Sequence, residues 1–465
     1  MSLAAAGVTL FYCLFLFQGY QKLFRDSDAG WHIRTGEAIL ETGILPRTDP
    51  YSFTRAGQPW FAWEWGADVI VGAIDRAAGL TGVALFYAAL IGAGVWLWFR
   101  LHWALAGNFL IACAMAPLLL STCNIHWLAR PHVIGWLLLV AAVLYAERLE
   151  HLGVRQLLAI TAFTALWANL HASFFLAPVV ALIYTIRHRS PAAVLAAFLA
   201  PLLNPYGFHL YTHVYRYLTD TELLSRIGEF QSFDFHAAGS GQIALTVILG
   251  IAGGTLALTQ GRIHHFVLAM GVAAMGLRSA RVLPLVALLL LPVANTGITR
   301  WLEGLPRARG FLRYSNRLRI LDSRMSGLAW APVLLVACFA LLRAPSILAQ
   351  TGFPPDQFPV AAYRYIPESA RLFAPDKFGG YLIFRSQGTR KVFFDGRSDL
   401  YGAEFLKQYA RMTQVRPGWR ESWNSFGFTH ALLPNDYSLL PALEQLGWRQ
   451  IYRDGTATLL VRGGT

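Results

Sequence analysis

The strongest constraint on this chain is a long apolar region that carries very few charged groups. Residues 77–326 contain eight carboxylates, whereas the much shorter stretch 21–76 holds another eight of the 26 in the whole chain. Of the 465 residues, 55% are hydrophobic, and the mean hydropathy is +0.43. This composition is typical of a multi-pass membrane protein that concentrates its acids in one water-facing segment.

The net charge of +13 comes mainly from arginine, because the chain has only four lysines, at positions 22, 377, 391 and 407. The arginines stand in short loops between apolar runs, so the charge favours membrane topology over nucleic-acid binding. The four cysteines all lie in or beside apolar stretches, which indicates neither a disulfide framework nor a cysteine zinc site.

Hydrophobic runs of about 17–25 residues are the signature of membrane-spanning helices. The sequence predicts a mainly α-helical bundle of about eleven spans, some of them short. We interpret the first as a span that is retained and not cleaved as a signal peptide. The predicted spans are residues 3–20, 80–99, 105–122, 131–146, 156–169, 173–186, 191–203, 241–259, 263–277, 281–297 and 327–343. Arginine-rich loops alternate with acidic or motif-bearing loops. The positive-inside rule therefore predicts a cytoplasmic N-terminus and an extracytoplasmic C-terminal region.

Two domains are expected: a transmembrane domain over residues 1–349 and a small extracytoplasmic α/β domain over residues 350–465. The first outer loop covers residues 21–79. Within it, residues 64–78 form an amphipathic pattern with Glu64, Asp68 and Asp75 on one helical face. We interpret it as a helix in the interface plane that covers a substrate region, or equally as a plain connector.

Polar clusters recur in the loops that are predicted to be outside. They read His126–His132, Asn169–His171, Asn204–Gly207, Glu229–Asp234 and Arg278–Arg281. Ionisable groups near membrane depth are costly, and they usually face a cavity or one another. Their convergence on one side predicts a polar site at the outer mouth of the bundle.

Asp26 and Asp28 follow the first span directly. Two carboxylates at this spacing can share a divalent cation such as Mg²⁺ or Mn²⁺, or one can act as a base that the other orients. Trp31 and His32 come next, so aromatic and hydrogen-bonding groups accompany the acid pair.

These motifs resemble the GT-C superfamily of membrane glycosyltransferases, and in particular a bacterial branch of that superfamily. The first loop carries Asp26, Asp28, Trp31, His32 and Gly36, then Pro46, Asp49, Pro50 and Ser52, then Pro59, Trp60, Glu64 and Trp65. The likeness continues in Arg130-Pro131-His132, Asn169-Leu170-His171, Asn204-Pro205-Tyr206-Gly207, segment 229–234 and Asp395-Gly396-Arg397. The sequence departs from the branch at Ala29-Gly30, where bulky residues are usual.

The resemblance implies an enzyme of the bacterial inner membrane that moves a sugar from a polyprenyl-phosphate donor to a glycan, lipid or protein acceptor. Asp28 would be the general base, with Asp26 as its partner or as co-ligand of a metal. Arg130, Arg278 and Arg281 are the phosphate candidates.

The same motifs add further substrate-binding candidates: Trp31, His32, Glu64, His132, Asn169 and His171. Each candidate also has a purely structural alternative. The tryptophan would anchor the chain at the membrane interface, the histidines would be structural, and the arginines would pair with Glu229 or Asp234.

Three other functions fit parts of the pattern. A transporter or flippase for lipid-linked glycans would be expected to show internal repeats and polar groups at the bilayer midplane. A scaffold protein would leave the acid pair and the outer arginines without a role. A hydrolase that cuts the same donor with water stays open at this stage.

Overall fold

The computed structural model describes residues 2–325 and 349–463. The chain is mainly helical, as predicted, and the last predicted span, 327–343, lies outside the described residues. The helices before residue 326 are Ser2–Phe11, Gly19–Lys22, Asp28–Thr42, Trp65–Ala104, Phe109–Cys123, His132–Arg148, Val154–Leu170, Leu176–His188, Ala192–Leu199, Phe208–Thr219, Thr221–Leu224, Ser240–Thr259, Ile263–Arg278, Leu283–Leu285, Leu291–Glu303 and Arg309–Met325.

Helical segments lie at each of the ten predicted spans within the described residues, but their lengths do not support eleven crossings. Four segments there are long and apolar enough to cross a membrane: Trp65–Ala104, Phe109–His126, Ser240–Thr259 and Ala280–Glu303. Shorter apolar segments include Ala172–His188 and Ala192–Leu202. A helix rises about 1.5 Å per residue, and the hydrocarbon core is about 30 Å thick. Apolar composition alone therefore overstated the count, although the helices remain compatible with a membrane protein.

The predicted first outer loop is itself largely helical, and four of its acids, Asp28, Glu37, Asp49 and Asp68, are buried. One helix starts at Trp65 and continues to Ala104, with a break at Gly79, where φ is 61°. Asp68 is only 1% exposed, because this helix packs against Asp28–Thr42 with Gly36 directly on its backbone. The expectation of a water-facing acidic loop is therefore wrong for most of these acids, although Glu41 is exposed: the shared face of Glu64 and Asp68 meets the protein interior at His32.

The C-terminal region contains a small mixed sheet, as predicted for an α/β domain. Its strands are β1 (Leu372–Phe373), β2 (His430–Pro434), β3 (Arg449–Arg453) and β4 (Ala457–Val461), in the order β1-β2-β4-β3. Strands β1 and β2 are parallel, and the other pairs are antiparallel. The helices are Asp376–Arg385, Ser398–Thr413, Trp419–Ser425 and Leu439–Gln445.

The β-rich run Lys391–Phe394 predicts a further strand, but this segment does not join the sheet. Its Val392 instead forms an isolated parallel bridge with Ser52 of the first outer loop. The segment therefore connects the two predicted domains.

The C-terminal region packs closely against the first outer loop. Gly30 lies against the backbone of Gly380, and such close helix contact is open only to residues without a β-carbon. Arg397 is 2% exposed and pairs with Asp49 at 2.8 Å and with Asp395 at 2.7 Å. These contacts bring the turn after Phe394 up to the start of helix Asp28–Thr42.

Candidate functional site

A cavity of about 680 Å³ lies where the first outer loop, the helix ends and the C-terminal region meet. Eight of the eleven site residues that the sequence predicts line it: Asp28, Trp31, Glu64, Arg130, His132, His171, Arg278 and Arg281. Other walls are apolar, formed by Trp136, Leu139, Phe175, Leu176, Val214, Leu218, Leu224, Met275 and Leu285. The cavity lining therefore combines a hydrophobic surface with a charged end, the group of side chains around Arg130 and Arg281.

Arg130 is the centre of the charged end. Its Nη1 donates to Asp26 Oδ2 at 2.7 Å and to Glu229 Oε1 at 3.0 Å, while Nη2 lies 2.9 Å from Asp28 Oδ2. Burial works against the charged guanidinium, but the surrounding carboxylates outweigh it and hold the pKa of Arg130 well above its ordinary value. One arginine thus binds three carboxylates that come from distant parts of the chain.

Asp28 is the first residue of helix Asp28–Thr42 and is 5% exposed. Its backbone N–H donates to Asp26 Oδ1 at 2.9 Å, which places the two acids side by side. Burial raises the pKa of Asp28 to about 7, with Arg130 opposing the shift and Asp26 adding to it. A carboxyl group that titrates near neutral pH suits acid–base chemistry.

Glu229 is a cavity residue that the predicted site omits, although its segment was noted among the outer clusters. Its two oxygens accept separately from Arg130 and from Arg281 Nη1, each at 3.0 Å. Burial raises the pKa of Glu229, but these two arginines more than reverse that effect, so its net pKa is lowered. Arg278 is exposed at the cavity edge and makes no ion pair with another described residue.

Glu64 forms a second acidic position in the cavity, away from direct arginine contact. Its Oε1 lies 3.3 Å from His171 Nε2, and its Oε2 lies 3.7 Å from His32 Nε2. On the far side of His32, Nδ1 is 2.6 Å from Asp68 Oδ1. Burial raises the pKa of Glu64 to about 7 and lowers those of both histidines well below their ordinary value. Two neutral imidazoles therefore flank this carboxyl group.

Three predicted site residues do not line the cavity. Asp26 and His32 lie behind it and contact residues that do, namely Arg130 and Glu64. Asn169 accepts from Trp65 Nε1 at 3.0 Å and donates to the carbonyl of Ala165, so it fixes the start of a helix. His132 does line the cavity, and its Nε2 donates to the carbonyl of His126 at 2.8 Å.

The C-terminal region supplies part of the wall. Gly396, Arg397, Ser398 and Asp399 all line the cavity, and Gly396 lies directly against the carboxylate of Asp28. The motif Asp395-Gly396-Arg397 in this turn was noted in the sequence, but the local pattern does not indicate which site it joins. Trp60, which belongs to a noted motif, and Trp63, which the sequence did not single out, also line the cavity.

The acid pair offers a poor site for a divalent ion as it stands. One oxygen of Asp26 accepts the N–H of Asp28, and the facing oxygens of both acids already contact the guanidinium of Arg130. A metal bound here would compete with a fixed positive charge. Elsewhere in the described residues, Glu147, His264 and His265 are close enough to share an ion. Glu147 is nevertheless already paired with Arg187 at 2.9 Å and hydrogen-bonded to Tyr184.

No family model matches the chain, and no curated protein is similar to it in sequence. The chemistry that the site can perform follows from its geometry. That geometry combines clustered arginines, two buried acids with pKa values near 7, and adjoining apolar walls.

Proposed function

We propose that this protein is a membrane glycosyltransferase, similar in type to the GT-C superfamily, that uses a polyprenyl-phosphate-linked sugar as donor. The observation that carries the proposal is the lining of the cavity, in which Arg130 and Arg281, joined through Glu229, share the wall with apolar side chains. An amphiphilic donor needs both, a fixed cation for phosphate and a hydrophobic surface for its chain.

In this proposal Asp28 accepts the proton of the acceptor hydroxyl. The released lipid phosphate gathers negative charge, which Arg130 stabilises because it is already held in place by its carboxylate partners. We propose Arg130, not a divalent ion, as the main positive charge. The predicted Mg²⁺ or Mn²⁺ site at Asp26 and Asp28 would be favoured instead if chelators abolish activity.

The experiment that tests this function uses the purified chain in lipid nanodiscs with polyprenyl-phosphate-linked sugars. Release of free polyprenyl phosphate is measured by mass spectrometry, with Asp28→Asn as the inactive control. Comparison of envelope glycans and lipids from cells with and without the gene identifies the product. Consumption of donor without any glycosylated product would favour the hydrolase alternative. Intact donor that changes leaflet would favour a flippase.

The proposed topology places the cavity at the outer face of the bacterial inner membrane. A cysteine at Gln58, an exposed position of the first outer loop, tests this in a background without native cysteines. Labelling by an impermeant thiol reagent from outside is the expected result. Labelling from the cytoplasmic side alone would overturn the proposed orientation.

A further inference from the structure

A second polar group of side chains lines the cavity, where the C-terminal region meets helix Phe208–Thr219. Asp399 Oδ2 lies 3.2 Å from His213 Nε2, and Ser398 Oγ lies 3.1 Å from the hydroxyl of Tyr217. Trp63 stands edge-on to both rings, at 4.8 Å from His213 and 5.4 Å from Tyr217. Three separate parts of the chain build this cluster.

The chemistry of this cluster differs from that of the arginine end. Trp63, Tyr217, Ser398 and Asp399 all line the cavity, and none of the described arginines pairs with Asp399. Aromatic rings offer an apolar surface, while a carboxylate accepts hydrogen bonds and hydroxyl groups both donate and accept. A sugar ring presents the matching combination, with C–H groups on its faces and hydroxyl groups around its edge.

Arg397, which lines the cavity beside this cluster, has a hydrogen-bond donor without a partner among the described residues. Its Nε and Nη2 donate to Asp395 at 2.8 and 2.7 Å, and its guanidinium stacks on Trp60 at 4.7 Å. Its Nη1 is buried and has no hydrogen-bond partner among the described residues, although Arg397 lines the cavity. A buried donor without a partner is destabilising, so the hydrogen bonding of this part of the wall is incomplete.

We propose that Trp63, Tyr217, Ser398 and Asp399 form the binding subsite for a saccharide acceptor. The inference rests on the proposed function and gives the C-terminal region a role in it: that region selects the acceptor, while the arginine end holds the donor. In the transfer, the acceptor hydroxyl gives its proton to Asp28, and its oxygen bonds to the anomeric carbon. The bond from that carbon to the phosphate oxygen breaks, and its electron pair leaves with the lipid phosphate.

The test measures binding of simple saccharides without requiring the natural acceptor. Methyl glycosides of glucose, mannose and galactose serve as probes in saturation-transfer NMR, with the protein in nanodiscs free of sugar-based detergent. We expect at least one glycoside to bind wild type saturably and to bind Asp399→Asn at least about 10-fold more weakly, because the amide loses the charged acceptor. Tyr217→Phe, which removes one hydroxyl group and no charge, tests the same wall if the first variant unfolds.

Asp436→Asn is the matched control, since it removes the same charge from an exposed position of the C-terminal region. Binding of a short-chain polyprenyl phosphate is measured in parallel, and we expect Asp399→Asn to retain it. If no glycoside binds wild type, or if both wall variants bind like wild type, the acceptor subsite is overturned while the proposed function stands. Failure of wild type to bind the polyprenyl phosphate would instead count against the proposed function.

Discussion

Gly396 lies so close to the carboxylate of Asp28 that a β-carbon at position 396 would overlap its oxygens. The two residues come from opposite ends of the sequence, and the turn that carries Gly396 is held by the buried pairs of Arg397 with Asp49 and Asp395. The C-terminal region thus closes one side of the acid that we propose as the base. This contact makes the region part of the site.

Gly396→Ala should therefore disturb Asp28 directly. The added methyl group has to displace either the carboxylate or the turn, and small misplacements of a reacting group cost about 10²-fold in rate. We expect a loss of transfer activity of at least about 10-fold with only a modest fall in melting temperature. Gly455→Ala is the control, because a β-carbon there meets open space in the same region. Equal activity of the two variants would show that Asp28 tolerates movement.

Asp28→Asn should abolish transfer, because a carboxamide keeps the shape of the side chain but does not accept the proton. Loss of a general base typically costs about 10²–10⁴-fold in rate. Since the pKa of Asp28 is raised to about 7, the base is mainly ionised above that pH and mainly protonated below it. The wild-type rate should therefore rise from about pH 6 to about pH 8.

The rate of release of polyprenyl phosphate over this pH range is the measurement for Asp28. A wild-type-like rate in the purified variant would exclude Asp28 as the base. Asp26→Asn separates the two predicted roles of the acid pair. If it is equally inactive, and chelators also stop the wild-type enzyme, a shared metal becomes the better account.

Arg130→Lys should weaken donor binding more than Arg278→Lys does. Arg130 contacts Asp26, Asp28 and Glu229 through two nitrogens of one rigid group, a geometry that a lysine ammonium does not reproduce. Arg278 is exposed and is not paired with another described residue, so its exchange for lysine retains most of its contribution. Affinity for a polyprenyl phosphate analogue, measured by titration, should fall at least about 10-fold in the first variant. Similar affinities in both variants would place the phosphate elsewhere.

The sequence predicted much of the site because the polar clusters lie at helix ends that share one side of the bundle. Arg130 and His171 illustrate this, since both stand at turns next to apolar runs. Helical periodicity also placed Glu64 and Asp68 correctly on one face. It did not show whether that face meets water or protein, because the deciding contact is with the separate helix Asp28–Thr42.

The remaining features depend on contacts between distant segments. Glu229 reaches Arg130 and Arg281 only after three helix ends have come together, and this is the pairing that the sequence offered as the structural alternative for the arginines. Hydropathy likewise marks an apolar helix without stating whether it is long enough to cross a membrane. Because local sequence does not show contacts between distant segments, the C-terminal region was predicted to be a domain separate from the first outer loop, which it contacts.

The buried Glu64 should make folding stability depend on pH. Burial raises its pKa from 4.5 to about 7, so the folded chain keeps this proton over a range where the unfolded chain has released it. The resulting stability is fully present below pH 4.5 and is lost as the pH rises towards 7. At about 1.4 kcal/mol per pKa unit, protonation of Glu64 contributes at most about 3 kcal/mol to the free energy of unfolding.

Glu64→Gln does not titrate, so its melting temperature should fall less than that of wild type between about pH 4.5 and about pH 7.5. Thermal unfolding in nanodiscs measures this slope, and Glu368→Gln, an exposed position, serves as the control with a wild-type slope. Asp28 titrates in the same range, so a reduced slope rather than a flat one is expected. If Glu64→Gln keeps the full slope, then the pKa of Glu64 is not raised in the folded protein.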